Sequence, residues 1–335
     1  MVRRNPLEAF LALPPTVDIL AVATFADTRH EFEQYAWMYI RTDNMRGGED
    51  VQMLSSDAPV AVGGVGGSGT RLIASILREL GFYLGQDLNC ALDNLWFTLL
   101  FKRHLALDCS DTEFAYLLEI FKKAMCGAWV LSPGEIALVK AAAASDRQQH
   151  DSEWLSHRAR SLIRECSGGL RGNSRWGWKE PNTHVVLPRI NKLMPRMRYI
   201  HVARNGLDIA YGSNQNQPRM WGSRFLDGDA VEVSPRYSLK YWVAVHRRIV
   251  EAGSEMGERF LVVNYDRLCR NPSSELSGLI EFAGFEASED RLAAIRRLIQ
   301  PPEGIGRFKR FSREDFDPKD VAFVQTAGFD AEWPR

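Results

Sequence analysis

Apolar positions along this 335-residue chain fall into two patterns, short unbroken runs and longer stretches with helical spacing. The runs lie at Val60 to Val62, Arg198 to Ala203 and Phe260 to Tyr265, and each has the length and composition of a strand buried on both faces. Helical spacing begins at Leu72, Ile73, Ile76, Leu77 and Leu80, directly after a glycine-rich segment from Gly63 to Gly69. It continues from Thr112 to about Arg164 through Phe114, Leu117, Leu118, Phe121, Ile136 and Val139, with AAAASDRQQHDSEW as a connection between helices. Further helices are predicted over Val185 to Leu193, from Leu207 or Asp208 onward, over Tyr237 to Ala252 and over Leu276 to Ala283. Strands alternating with helices imply an α/β fold, a parallel sheet with helices on both faces, here carrying a helical insert at about 110–170. Residues 1–50 form an N-terminal extension of unclear role, with a possible strand at Val17 to Phe25 and a short helix at Glu31 to Ile40.

The strand, glycine loop and helix from Val60 to Leu80 point to an anion. Glycines let successive N–H groups converge, and the helix that follows adds its unpaired N–H groups and positive dipole end. Gly64 to Gly69 leads into Thr70-Arg71, so the lysine of a nucleoside-triphosphate loop is missing and a kinase or ATPase becomes the weaker reading. Arg204 follows the second buried run, at the carboxyl end of a strand, where open α/β sheets make ligand contacts. Its planar guanidinium suits phosphate, though an arginine can also simply end a surface strand. Lys179 follows a Trp-Gly-Trp turn, and Asp87, Asn89, Asp93 and Asn94 follow the loop helix, where they can reach a bound group or serve as helix caps. A glycine-hinged basic loop, Pro302 to Arg310, closes the series.

Composition narrows the class without naming it. Lys plus Arg and Asp plus Glu are both 42, so no global field favours nucleic acid or an anionic membrane, and any anion site has to be built locally. The five cysteines are scattered without a C-x-x-C pair, which argues against a disulfide framework or a zinc site, and no metal is expected. His104, His150 and His157 read as exposed helix positions, and His201 as a core residue of its strand. No apolar run approaches a membrane span and the N-terminal stretch makes a poor secretory signal, so the expected location is cytoplasmic.

Four of these stretches in order resemble the sulfotransferases that use 3′-phosphoadenosine 5′-phosphosulfate (PAPS). They are GGVGGSGTRLIASIL, RYIHVARNGLDIAYGSNQ, LVVNYDRLCRNP and GIGRFKR, spanning roughly residues 58 to 312. WGWKEP is similar to an element of the bacterial, carbohydrate and protein-tyrosine branches. The resemblance implies one P-loop-like α/β domain over 51–335, transfer of a sulfuryl group to a hydroxyl of a carbohydrate, lipid-linked or other small-molecule acceptor, and no metal. It implies that Gly67, Ser68, Gly69, Thr70 and Arg71 hold the 5′-phosphosulfate, that Arg204 and Ser213 bind the 3′-phosphate, that Tyr265 lies near the adenine, and that Gly306 and Arg307 close over the 3′-phosphate.

The chain departs from the family pattern at two of these positions. The family's loop carries Lys or Arg at the place of Gly67, so the charge there has to come from Arg71 or Lys179. The serine that should stand eight residues after the strand-end arginine is Gly212, with Ser213 one place later, a shift of about 100° on a helix. For the general base, the resemblance implies a carboxylate after the loop helix, Asp93 ahead of Asp87, with His184 and Glu180 in reserve. The competing functions are a small-molecule P-loop kinase and a non-catalytic nucleotide-binding member of the same fold.

Overall fold

A computed structural model describes residues 58–126, 130–145, 147, 149–167, 175–226 and 232–334. The expectations for residues 1–50 lie outside them. In chain order the elements are β1 (Val60–Gly64), α1 (Thr70–Glu79), α2 (Leu95–Phe101), α3 (Leu105–Asp108), α4 (Asp111–Cys126), α5 (Pro133–Ala143), α6 (Ser152–Cys166), β2 (Gly177–Lys179) and α7 (Thr183–Leu193). There follow β3 (Arg198–Ala203), α8 (Gly206–Ala210), α9 (Asn216–Phe225), α10 (Pro235–Met256), β4 (Phe260–Asn264), α11 (Tyr265–Arg270), α12 (Pro272–Phe282), α13 (Glu289–Leu298) and α14 (Pro318–Thr326). The described residues fall into two compact units, one within 99–167 and one made of 58–98 with 175–334.

The larger unit holds the sheet, four parallel strands in the order β2-β1-β3-β4. The register sets Val62 beside Lys179 and Ile200, Gly64 beside Val202, and Ala203 beside Asn264. Four carboxyl ends therefore lie along one edge, and each hands the chain to a predicted site residue or to the glycine loop. The period of two along β3 divides its neighbours. Ile200 and Val202 pack with Val60, Val62 and Val263 in a core shared with Ile73, Ile76 and Leu77 of α1, Leu276 and Leu279 of α12, and Ile295 of α13. Tyr199 and His201 face the other way, where His201 meets His184 of α7 and His246 of α10.

The smaller unit is helical. Ser132 and Glu135 form a capping box at the start of α5, and Asp151 accepts the Trp154 N–H at 2.7 Å to start α6. Only the two ends of the connection predicted between them are helix, Ala141–Ala143 ending α5 and Ser152–Trp154 beginning α6. His104 and His157 are exposed as expected, but His150 is half-buried because its ring stacks on Trp154 at 4.0 Å. Burial first, then Lys102, Arg147 and Arg158, lowers the His150 pKa to about 4.

Two local expectations are corrected. Trp176-Gly177-Trp178, read as a turn ahead of Lys179, instead runs into strand β2, Gly177–Lys179; three residues are too few to show a period of two, and pairing with β1 decides their conformation. The run expected to end at Tyr265 ends at Asn264, whose side chain accepts the Arg267 N–H at 3.0 Å and so turns Tyr265 into the first residue of α11. All five cysteines are free thiols, and no helix among the described residues is long and apolar enough to cross a membrane.

Candidate functional site

The glycine loop joins β1 to α1 through two left-handed residues, Gly67 at φ 89° and Gly69 at φ 93°. At Gly69 a Cβ would stand 2.2 Å from the Tyr265 ring, so only glycine permits that contact. At Gly67 the space is open, but the positive φ disfavours any L side chain. Ser68 is 1% exposed and its Oγ has no hydrogen-bond partner, while its N–H donates to Val65 O at 3.0 Å. Gly69 caps α1 without a side-chain acceptor and no acidic residue stands in the first turn. A buried orphan hydroxyl and an uncapped ten-residue helix at the same loop form a cradle for an anion. Thr70 is buried, and Arg71 is exposed on the wall of an open cleft of about 450 Å³ that also includes Asp93, Lys179, Asn214 and Tyr265.

Arg204 leaves β3 and reaches the loop, its Nη1 donating to Gly67 O at 3.3 Å. Its Nε lies 3.9 Å from Asp266 Oδ1 and its guanidinium 5.6 Å from the Tyr265 ring centre. Arg307 donates through Nη1 to Tyr211 O at 3.3 Å. The two guanidinium groups meet at Gly304: a Cβ built there would lie 2.6 Å from Arg307 Nη2 and 2.7 Å from Arg204 Nη2. Two cations held at one point repel unless an anion lies between them, and a phosphate answers both. Burial, followed by Cys269, pushes the Tyr265 phenol up to about 12, so it stays protonated and offers a neutral ring face.

The remaining candidates are placed less simply. Gly306 is left-handed, with φ 79°, and its N–H donates to Asp208 Oδ2 at 2.8 Å, so it supplies a turn rather than a free N–H. Ser213 is exposed in the turn after α8, which ends at Ala210; the helix rotation argued from sequence does not apply, and Asn214 lines the cleft in its place. Asp87 is buried, and its backbone carbonyl accepts the Leu95 N–H at 2.9 Å. The cap of α2 is Asn94, whose side chain accepts the Phe97 N–H at 2.9 Å.

Lys179 and Asp93, 86 residues apart, form an ion pair at the cleft wall. Lys179 is 2% exposed and also donates to Ala91 O at 3.0 Å. Asn89 builds the facing turn: its Oδ1 accepts the Ala91 and Asp93 N–H groups at 2.9 Å each, and its Nδ2 donates to Asp93 Oδ2 at 2.8 Å. Within that turn Leu92 takes a left-handed φ of 62°, a conformation that costs a non-glycine residue about 1–2 kcal/mol. The two reserve bases are committed elsewhere. Glu180 is 1% exposed and accepts from Asn182 N and Nδ2 at 2.5 and 2.9 Å. His184 is fully enclosed against Gln217 Oε1 at 3.1 Å, and burial lowers its pKa to about 4. Gln217, which the sequence did not single out, donates to Gly64 O at 3.1 Å at the base of the loop. Among the described residues no group of three His, Cys, Asp or Glu side chains is placed to hold a metal ion.

A model of the sulfotransferase family matches residues 59–289, and the chain belongs to that family. No curated protein sequence matches the chain. Among solved structures it is similar to the sulfotransferase STF9 from Mycobacterium avium, at 16% identity over 91% of this chain and 83% of that one, with a TM-score of 0.44. It is also similar to the sulfotransferase domain of the curacin biosynthetic pathway, at 14% identity over 83% of this chain and 99% of that one, with a TM-score of 0.42. The sulfotransferase domain of the Synechococcus PCC 7002 olefin synthase is 16% identical over 84% and 99% of the two chains, with a TM-score of 0.40.

Proposed function

We propose that this sulfotransferase moves a sulfuryl group from PAPS to a hydroxyl of a carbohydrate, lipid-linked or other small-molecule acceptor. The observation that carries the reading is the meeting of Arg204 and Arg307 at Gly304, with Arg204 also bonded to the glycine loop. Two anion positions joined by one arginine suit a nucleotide phosphorylated at both its 3′ and 5′ ends. The donor supplies a sulfuryl group already activated by its bond to a phosphate.

In this reading the loop N–H groups, Ser68 Oγ, Thr70 and Arg71 hold the 5′ end, Arg204 and Arg307 hold the 3′-phosphate, and the Tyr265 face lies against the adenine. The acceptor oxygen forms a bond to sulfur as the bond from sulfur to the phosphate oxygen breaks, and the electron pair leaves on that oxygen. Lys179 meets the charge that develops there, the duty left open by Gly67. Asp93 takes the hydroxyl proton, and a phosphate that draws Lys179 away from it leaves the carboxylate free to accept.

Chromatography of adenosine 3′,5′-bisphosphate released from PAPS, with panels of sugar, lipid and phenolic alcohols, tests the reading. Release that depends on one acceptor class and falls in Asp93→Asn supports it. Tight binding without release across every panel would leave a nucleotide-binding member of the family without transfer activity, and failure to bind the donor would overturn the reading.

A further inference from the structure

Asp208 touches neither the glycine loop nor the cleft, yet it is 2% exposed and both of its carboxylate oxygens are engaged. Oδ2 accepts the Gly306 N–H at 2.8 Å and Oδ1 accepts the Phe308 N–H at 3.0 Å. Those donors belong to the residues on either side of Arg307, so the chain just before and just after that arginine is tied to one carboxylate. Asp208 stands four residues after Arg204 in α8, a helix started by Asn205, whose side chain accepts the Leu207 N–H at 3.0 Å. One strand-to-helix connection therefore presents the first guanidinium and holds the loop that presents the second. We infer that Asp208 is the positioning residue that sets Arg307 beside Arg204, and that the protein's preference for a 3′-phosphorylated nucleotide depends on it. The inference rests on the donor reading above and adds to it a determinant of specificity that contacts no ligand.

The chemistry explains why an aspartate serves here. A buried carboxylate costs desolvation energy that a neutral side chain avoids, but only the carboxylate offers two acceptors and no donor to a pair of facing N–H groups. An asparagine would satisfy one N–H and set an NH₂ against the other. The basic loop has other attachments: the Phe311 ring stacks on Tyr211 at 3.8 Å, and Lys309 pairs with Asp330 at 2.7 Å. Loss of Asp208 should therefore re-aim Arg307 without releasing the loop.

The test is calorimetric titration of the full chain with adenosine 3′,5′-bisphosphate and with adenosine 5′-monophosphate. Asp208→Asn is expected to lower the ratio of the two affinities about tenfold with the monophosphate affinity nearly unchanged, and to lower the melting temperature as well, because it strands a buried N–H. Asp208→Glu, which keeps the charge and both acceptors, should retain more of the ratio. In an Arg307→Ala background Asp208→Asn should change the ratio no further, because the two act as a unit. Equal loss of both affinities, or a full additional loss without Arg307, would make Asp208 a purely structural residue and overturn the inference. Wild-type preference that survives in Asp208→Asn overturns this inference alone, whereas equal wild-type binding of both nucleotides overturns the donor reading as well.

Discussion

Lys179 and Asp93 bring opposite charges to one wall of the cleft, and their pairing changes what substitution at either does. Asp93→Asn removes the proposed base and also leaves a nearly buried ammonium without its counterion, a defect worth on the order of 3 kcal/mol. Turnover should fall about 10²- to 10⁴-fold and the melting temperature should fall with it. Adding Lys179→Met should restore the melting temperature without restoring turnover; if both recover, Asp93 is a structural counterion and not the base. Arg204→Ala is expected to weaken donor binding by about 1.5–3 kcal/mol in calorimetry, and unchanged affinity would remove it from the site. Arg204 and Lys179 stood out in the sequence as candidates, one at the end of an apolar run and the other directly after Trp176-Gly177-Trp178. The pairings did not: the Lys179–Asp93 pair, separated by 86 positions, and the Gly306 contact to Asp208 across 98 are created by the fold and leave no local pattern.

Strands β1, β3 and β4 were readable because each is a five- or six-residue run covered on at least one face, whereas β2 was hidden by its brevity. The face of β3 turned toward α7 and α10 carries a consequence for pH. His184, His201 and His246 lie edge to edge there, with Tyr199, Gln217 and Trp242 as polar neighbours and Arg248 adding a repulsive charge to His184. Burial lowers His184 and His246 to about 4 and holds His201 well below its ordinary value, with the other histidines adding to the shift of His201. The unfolded chain therefore binds more protons than the folded one between about pH 6.5 and 4, and stability that is complete above that range is lost as pH falls through it. His184 and His246 each contribute on the order of 3 kcal/mol to that loss. Denaturant midpoints at pH 7.5 and 5.0 should show the fall, and His246→Gln should reduce it. An identical fall in the variant would assign the acid sensitivity to other groups. The same face supports both halves of the site, since Gln217 holds Gly64 O and Trp242 Nε1 donates to Arg204 O at 3.1 Å.

At the scale of the molecule, the parallel order β2-β1-β3-β4 converts four distant stretches into one row of strand ends. The alternation of strands and helices made the fold class legible, and the glycine run and the strand-end arginine marked out the loop and Arg204 that the structure brings together in the candidate site. The helix expected to carry Ser213 stops at Ala210, so the rotation argued from the sequence does not reach that residue. The account as a whole rests on recognition of a nucleotide at two anionic ends, with no Walker lysine to favour a triphosphate. Titration calorimetry of the full chain with adenosine 3′,5′-bisphosphate and with ATP measures that recognition directly. The account predicts that the bisphosphate binds at least about tenfold more tightly, by a margin that largely disappears in Arg204→Ala. Tighter binding of ATP, or a bisphosphate affinity indifferent to Arg204, would contradict it.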